Sequence, residues 1–368
     1  MTKILTSYLQ NKHTLLLLSL NFLCLNLVLA KEIKQEALLF TTRLESLIAC
    51  EQGDLGRCQA LELSSTEVIR SKKSEAEAAK LLTKRCQLKT KEACLNLGSL
   101  FAEGRGVQKS NSKAFEHFKR ACDLKDGVGC FATGASYKEG FGVKQSLPRA
   151  AEFFSKSCDL GEGQGCDSFA LLHIQGLGVP QSFQKAAEFL SKSCELENGD
   201  GCFHLANLFE DGIGVTKSLV KSNQLFSKAC DLGNGKGCYN FGNSFRDGIG
   251  EVKSEVKANE FYTRACKLGV GLGCYSLALS YMRGTGFPQS DVKAAEFFTK
   301  SCELEIKDGC FNLGVFYEKG SGVKRSLAKA ADFFSKACKL GDSEACAVRI
   351  TQCKSGETSG ECMGKNPK

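Results

Sequence analysis

The chain has 368 residues, 42% of them apolar and 24% charged, with a formal net charge of +8. So mild a basic excess over that length is not the footprint of a nucleic-acid binder. Only four histidines (His13, His117, His173 and His204) accompany 21 cysteines, and no short C-x₂₋₄-C spacing with clustered histidine marks a tight zinc site.

Residues 1–30 read as a secretory signal peptide. Lys3 and Lys12 precede an apolar run from Leu15 to Ala30, no acidic residue comes before Glu32, and Val28-Leu29-Ala30 ends in a small residue suited to cleavage. The run is about 16 residues, short of the roughly 20 that cross a bilayer as a helix; an uncleaved anchor is the alternative. Cys24 goes with the leader, because Phe22 and Leu23 are bulky where lipoprotein processing needs small residues. Losing Lys3 and Lys12 with the leader takes +8 to +6 and leaves 20 cysteines. An even, regularly spaced set in an exported chain implies disulfides. The expected location is therefore secreted or periplasmic, with no stable membrane anchor once the leader is gone.

Segment 31–57 is expected to hold an N-terminal capping helix, from about Glu32 to Cys50, and the first disulfide loop. Nine C-x₇-C pairs then follow one 36-residue ruler: Cys50–Cys58, Cys86–Cys94, Cys122–Cys130, Cys158–Cys166, Cys194–Cys202, Cys230–Cys238, Cys266–Cys274, Cys302–Cys310 and Cys338–Cys346. Two residues eight apart on one continuous helix lie about 12 Å apart, beyond the roughly 4.4–6.8 Å that a disulfide tolerates. The chain must reverse between them, and Gly-rich stretches such as 159–165 and 231–237 agree. Pairing across 28 residues, Cys94 with Cys122, is the competing register, but it strands Cys50 and Cys346. Pairing across eight strands none of the eighteen, and Cys353–Cys362 then closes the C-terminus.

Between one staple and the next, apolar residues recur at helical spacing, as in Leu97, Leu100, Phe101 and then Phe115, Phe118, Ala121, separated by Gly104 and Gly106. This predicts antiparallel helix pairs of about 10 and about 13 residues. Four residues after each second cysteine stands Gly or Ala (Gly98, Gly134, Ala170, Ala206, Gly242, Ala278, Gly314), where helices approach closely. Seven after stands an aromatic (Phe101, Tyr137, Phe209, Phe245, Tyr281, Tyr317), with His173 as a packed substitute. The paired glycines from Gly104/Gly106 to Gly320/Gly322 suit positive-φ helix ends. A serine sixteen residues after the cysteine (Ser74, Ser110, Ser146, Ser182, Ser218, Ser254, Ser290, Ser326) reads as an N-cap. The unit starting at Cys58 lacks both glycines, with Val68 and Arg70 instead, as a terminal capping repeat does. The expected fold is all-α: an α-solenoid of eight repeats over 58–345, closed by a C-terminal capping helix and tail in 346–368.

The pattern G-C-x-x-L-G-x-x-Y/F-x-x-G-x-G-V followed by S-x-x-K-A-x-x-F-F-x-K-A-C-x-L-G resembles the Sel-one-like repeat, a relative of the tetratricopeptide repeat. The cysteine-stapled, exported form is similar to the Helicobacter-type cysteine-rich protein family. That resemblance implies penicillin binding or β-lactamase activity, and also interaction with host or envelope components. S-x-x-K, the nucleophile motif of serine β-lactamases, occurs as Ser110/Lys113, Ser182/Lys185, Ser218/Lys221, Ser254/Lys257, Ser290/Lys293 and Ser326/Lys329. Six matches in one repeat register point to helix caps rather than one nucleophile. Ser321/Lys324 is out of register between turn glycines, and S-D-N and K-T-G are absent. His117, His173 and His204 occupy different repeat positions and form no metal cluster, so neither metal nor cofactor is expected, and no catalytic residue is identified.

A solenoid presents a long concave face, lined by the first helix of each pair. Positions two, five and nine after the second cysteine share one side of that helix. They read Asn96, Ser99, Glu103; then His204, Asn207, Asp211; Asn240, Asn243, Asp247; and Asn312. Asparagine amides can donate to and accept from an extended peptide backbone at once, and the carboxylates can receive basic groups. The expectation is a monomeric scaffold that binds a peptide, protein or peptidoglycan-type ligand there. A penicillin-hydrolysing β-lactamase is the alternative, implied by resemblance alone.

Overall fold

The computed structural model describes residues 72–348. The leader, the 31–57 segment, Cys50–Cys58, the start of the first repeat and Cys353–Cys362 lie outside the described residues. The chain divides into two compact units, 1–109 and 110–368.

In the first unit α1 (Lys72–Gln87) packs against α2 (Lys91–Glu103), and Cys86–Cys94 joins them. The second unit runs α3 (Asn111–Asp123), α4 (Gly127–Glu139), α5 (Leu147–Asp159), α6 (Gly163–Gln175), α7 (Phe183–Glu195), α8 (Gly199–Asp211), α9 (Leu219–Asp231), α10 (Gly235–Asp247), α11 (Glu255–Lys267), α12 (Gly271–Arg283), α13 (Asp291–Glu303), α14 (Lys307–Lys319) and α15 (Leu327–Lys339). A further helical segment occupies 343–348. The fold is an all-helical solenoid with a disulfide at every 36-residue step. Among the described residues no helix is long and apolar enough to cross a membrane.

Eight of the expected staples, from Cys86–Cys94 to Cys338–Cys346, are formed with Cα separations of 4.4–4.7 Å. The pairing across 28 residues does not occur in the described part. Each staple joins the last turn of a second helix to the first turn of the next first helix. First helices are therefore longer than expected, 13 residues rather than about 10, because they begin three residues before their cysteine.

The glycines around the staple turn out to do two jobs, not one. The reversal needs a single left-handed residue, supplied by Gly161, Gly233, Gly269 or Gly341, and in other turns by Lys89, Lys125, Glu197 or Glu305. The glycine at helix position three has a different reason: a Cβ on Gly237 would stand 2.7 Å from the Ala229 Cβ. Closeness, rather than chain reversal, requires it.

The expected columns pack as follows. Each small residue four after the cysteine faces the second helix of its own pair, and a Cβ on Gly134, Gly242 or Gly314 would meet the ring of Phe154, Tyr262 or Phe334 within 2.8 Å. Phe154, Phe226, Phe298 and Phe334 are almost wholly buried, each contributing about 1.5–3 kcal/mol. The aromatic column stacks on a second ladder of rings: Tyr137 on Phe153, Phe245 on Phe261, Tyr281 on Phe297 and Tyr317 on Phe333, at 5.5–5.7 Å. His173 takes its place there, parallel to Phe189 at 6.0 Å and buried, its Nδ1–H donating to the Pro180 carbonyl at 3.1 Å. In each Gly-x-Gly turn the first glycine ends the first helix at φ 67–77°. The second lies on the start of the preceding second helix, where an added Cβ would strike backbone, as at Gly142 on Asn111, or at Gly250 and Gly286 first the side-chain amide of Asn223 or Asn259.

Six of the serines cap as expected: Ser110, Ser182, Ser218, Ser254, Ser290 and Ser326 each accept from the backbone N–H three residues on, at 3.3–3.4 Å. Two do not. Ser146 stands at the N-cap without a side-chain bond. Ser74 lies inside α1, which starts at Lys72, because Lys72 and Lys73 are good helix formers that carry the helix back past it.

Two turn glycines separate the two roles experimentally. Gly233→Ala adds a Cβ with nothing within 4 Å at φ +85° and is expected to cost about 1–2 kcal/mol. Gly286→Ala has the same handedness but puts a Cβ 2.6 Å from Asn259 Nδ2, and is expected to cost about 1–3 kcal/mol more. Urea midpoints of the oxidised proteins check the order.

Candidate functional site

Over α4 to α10 of the second unit the first helices stand closer to one another than the second helices do. α4 with α6, α6 with α8, and α8 with α10 approach directly, whereas no second-helix pair does so to the same extent. The closely spaced row of a curved stack is its inner row, so the expected binding face is the inner one.

Along that row the sequence-selected residues divide into two kinds. Asn207 and Asn240 are half-buried and Asp211 is exposed, all three without a side-chain partner among the described residues. The others are already engaged. His204 Nδ1 donates to Asp167 Oδ1 at 2.7 Å, from α8 to α6. Asn243 Oδ1 accepts from the Tyr262 hydroxyl at 2.8 Å, and burial holds that phenol well above its ordinary pKa, so it stays a donor. Asp247 is clamped by both Nε and Nη2 of Arg246 at 2.8 Å. That bond lowers the carboxyl pKa and raises that of the guanidinium. Asn312 donates to the Asp308 carbonyl at 2.8 Å and bonds the Tyr275 hydroxyl of the preceding repeat. In the first unit, taken by itself, Asn96 is half-buried on α2 without a side-chain partner among the described residues, Ser99 bonds back to the Leu95 carbonyl, and Glu103 pairs with Arg105.

Four groups on or beside this face escape a reading by columns two, five and nine. Asp167 is 8% exposed and occupies the position after the second cysteine, where other repeats place Phe131, Phe203, Tyr239, Tyr275 and Phe311. Its opposite number on the second helix is Leu190 where others have an aromatic ring, and the His173 substitution falls in the same repeat. Three simultaneous departures from the internal pattern were the available signal. Glu210 is half-buried and in no salt bridge among the described residues; its pKa is raised first by burial and then by the Asp211 charge, against a smaller lowering by Lys217. Asn223 and Asn259 replace an alanine of the second helix. Each donates to a carbonyl of the next Gly-x-Gly turn at 2.8 Å and accepts from a serine of the next first helix at 2.7 Å. These two are buried ties between repeats, not contacts for a ligand.

The S-x-x-K motif resolves into two structural tasks. The serine caps its helix through the backbone of the lysine. The lysine ammonium then lies over the aromatic column: Lys221 over Phe209, Lys257 over Phe245, Lys293 over Tyr281 and Lys329 over Tyr317, at 5.0–5.3 Å. Among the described residues no group of three metal-ligating side chains assembles.

The Sel1 repeat model matches residues 91–126, 127–162, 170–198, 199–234, 235–270, 271–305 and 307–342. Residues 163–169, which contain Asp167, fall between two matches. A solved Sel1 repeat protein from Oxalobacter formigenes superposes with a TM-score of 0.64 at 24% identity, over 86% of this chain and 90% of that one, which shows the fold. The c5321 protein, a protective antigen of uropathogenic Escherichia coli strains displaying an SLR fold, gives 0.52 at 27% identity, over 76% and 68%. Helicobacter pylori cysteine rich protein B is 32% identical over 36% of this chain and 95% of its own, with a TM-score of 0.31. No curated protein matches the sequence.

Two outcomes follow from these assignments. Ser254→Ala is expected to cost about 1 kcal/mol in urea denaturation, and Ser146→Ala, which loses no side-chain bond, well under half of that. Because the folded-state pKa of Glu210 is raised, its charge opposes folding above that pKa, and the penalty disappears as pH falls and the group is protonated in both states. Glu210→Gln is therefore expected to raise the melting temperature at pH 7 and to match the parent below about pH 4, as read by calorimetry at both values.

Proposed function

The chain belongs to the Sel1 repeat family, whose repeats serve as protein-interaction modules, and on that footing we propose that it is a secreted or periplasmic scaffold that binds an extended peptide segment of a partner along its inner face. The observation that carries this reading is a row on α8 and α10, half-buried Asn207, Glu210 and Asn240 with exposed Asp211, none of them hydrogen-bonded or salt-bridged through its side chain among the described residues. Polar groups that a fold leaves partly desolvated and unpaired are costly unless something else satisfies them. The flanking Asp167–His204 and Arg246–Asp247 pairs are already satisfied; they border the row and hold its geometry. Two amides with two acids beside them suit a backbone with a basic side chain or amine. A peptidoglycan stem, which is peptide-like and bears an amine, shares that chemistry.

The eight staples belong to an oxidising, extracytoplasmic environment. No observation favours lactam hydrolysis, since all six in-register serines are occupied as caps.

Selection of random peptides on the immobilised oxidised protein tests the proposal. Enriched peptides are expected to carry Lys or Arg, and Asn207→Ala or Asn240→Ala to weaken their binding about fivefold each, the worth of about one hydrogen bond. Enrichment of no peptide, or affinities indifferent to both substitutions, overturns the reading. Soluble stem peptides in competition separate the two ligand sources. The same protein is expected to turn over penicillin far below the roughly 1 s⁻¹ of ordinary enzymes.

A further inference from the structure

Asp167 and His204 form a pair in place of a packing contact that the array otherwise repeats. Five other repeats set two rings together there, as Phe131 on Phe154 and Tyr275 on Phe298, with centroids 5.5–5.9 Å apart. This repeat puts Asp167 at the place of one ring and fully buried Leu190 at the place of the other. Ring pairs stabilise beyond the area they bury, whereas a carboxylate set among apolar side chains carries a desolvation cost. Packing alone does not account for the exchange.

The carboxylate has a visible task. Its Oδ1 accepts the Nδ1–H of His204 at 2.7 Å, from α6 to α8. The two side chains are 12% and 30% exposed, so the bond is sheltered while part of the imidazole still meets solvent. Such a bond fixes the tautomer of the neutral ring and leaves Nε2 as its acceptor, and the negative charge behind the ring strengthens that acceptor. Nε2 has no hydrogen-bond partner among the described residues.

His204 also stands in line with the unpaired row. His204, Asn207 and Asp211 are spaced i, i+3 and i+7 on α8 and share one face, and Asn240 occupies the His204 position on α10. From His204 to Asp211 is two helical turns, about 10 Å. Asp211 is exposed and in no salt bridge among the described residues. The stripe therefore has an acceptor backed by negative charge at one end, a carboxylate at the other and an amide between them.

We propose that His204 is a specificity-determining residue of the inner face, its Nε2 accepting from one basic group of the bound peptide while Asp211 receives a second. Asp167 is the positioning residue that holds the ring for this. The assignment rests on the peptide-binding reading and narrows it to a ligand with two basic groups about 10 Å apart.

Peptides enriched by selection on the oxidised parent protein are the probe. His204→Asn keeps an amide N–H where Nδ1–H stood, and with it the bond to Asp167, but lacks Nε2. It is expected to bind these peptides about tenfold more weakly than the parent with an unchanged melting transition. His204→Gln, whose amide reaches the place of Nε2 and not that of Nδ1, is expected to keep more of the affinity and to melt lower. Norleucine in place of either basic peptide residue is expected to weaken binding to the parent, whereas in His204→Asn one of the two replacements no longer matters. At about pH 8, above the ordinary imidazole pKa, nitrogen-15 spectra of the histidine-labelled protein are expected to show His204 protonated at Nδ1 and bare at Nε2. The Nε2 signal is expected to move when peptide is added, and Asp167→Asn to mix the two tautomers. A His204→Asn variant that binds like the parent, selected peptides with a single basic position, or a proton on Nε2 in the free parent each overturn the proposal. If Asn207→Ala still weakens binding in those cases, the broader scaffold reading stands without it; enrichment of no peptide removes both.

Discussion

The structure depends on one covalent constraint: a disulfide that ties the last turn of each second helix to the first turn of the next first helix across a three-residue reversal. At Cα separations of 4.4–4.7 Å the two helix ends cannot slide, and the glycine or small neighbours beside the bridge let the backbones meet there. A solenoid unit cannot bury both its faces alone, and its stability lies in nearest-neighbour interfaces. Here that interface is fixed in the unfolded chain as well as the folded one, since the bridge limits the conformations available before folding.

Repetition gives the molecule its own internal standard. What recurs in register is structural: the small residue under each buried ring, the parallel aromatic ladder, the serine cap, and the lysine that reaches from the cap to the ladder. The motif most suggestive of a nucleophile belongs to this class. What breaks register carries information of another kind. The repeat starting at Cys166 loses an aromatic to Asp167, another to Leu190 and a third to His173, and gains a carboxylate–imidazole bond to the neighbouring helix. A buried carboxylate without its partner would be costly, so the exchange of a ring pair for an ion-like pair is a local solution specific to the middle of the array.

The same repetition organises polarity across the layer. The inner row of first helices holds amides and carboxylates that the fold leaves partly desolvated. The staple edge gathers acids of two kinds: Asp126, Glu162, Asp200 and Asp308 stand at the starts of first helices, where the macrodipole favours them, while Asp123, Asp159 and Asp231 end second helices and pair with Lys119, Lys192 and Arg264. The Gly-x-Gly edge gathers lysines, four of which are already drawn over rings. A single repeat thus presents three distinct surfaces, and stacking turns each into a continuous strip.

Much of this was legible in the residues alone. Spacing of eight forces a reversal and spacing of 36 gives the repeat, because disulfide reach and helix rise are local quantities that sequence distance measures directly. Helix pairs, caps and the packed role of His173 follow from the same local rules. The occupancy of the inner face did not. Asn243 and Asn312 look as available in sequence as Asn207 and Asn240, yet Tyr262 and Tyr275 claim them from other helices. Nor could spacing tell that Gly237 answers to the Cβ of Ala229 while Gly233 answers to its own backbone angle. Sequence by itself determined the elements, their order and their staples; only the tertiary structure decided which polar groups remained unsatisfied, since that depends on side chains brought together from different helices.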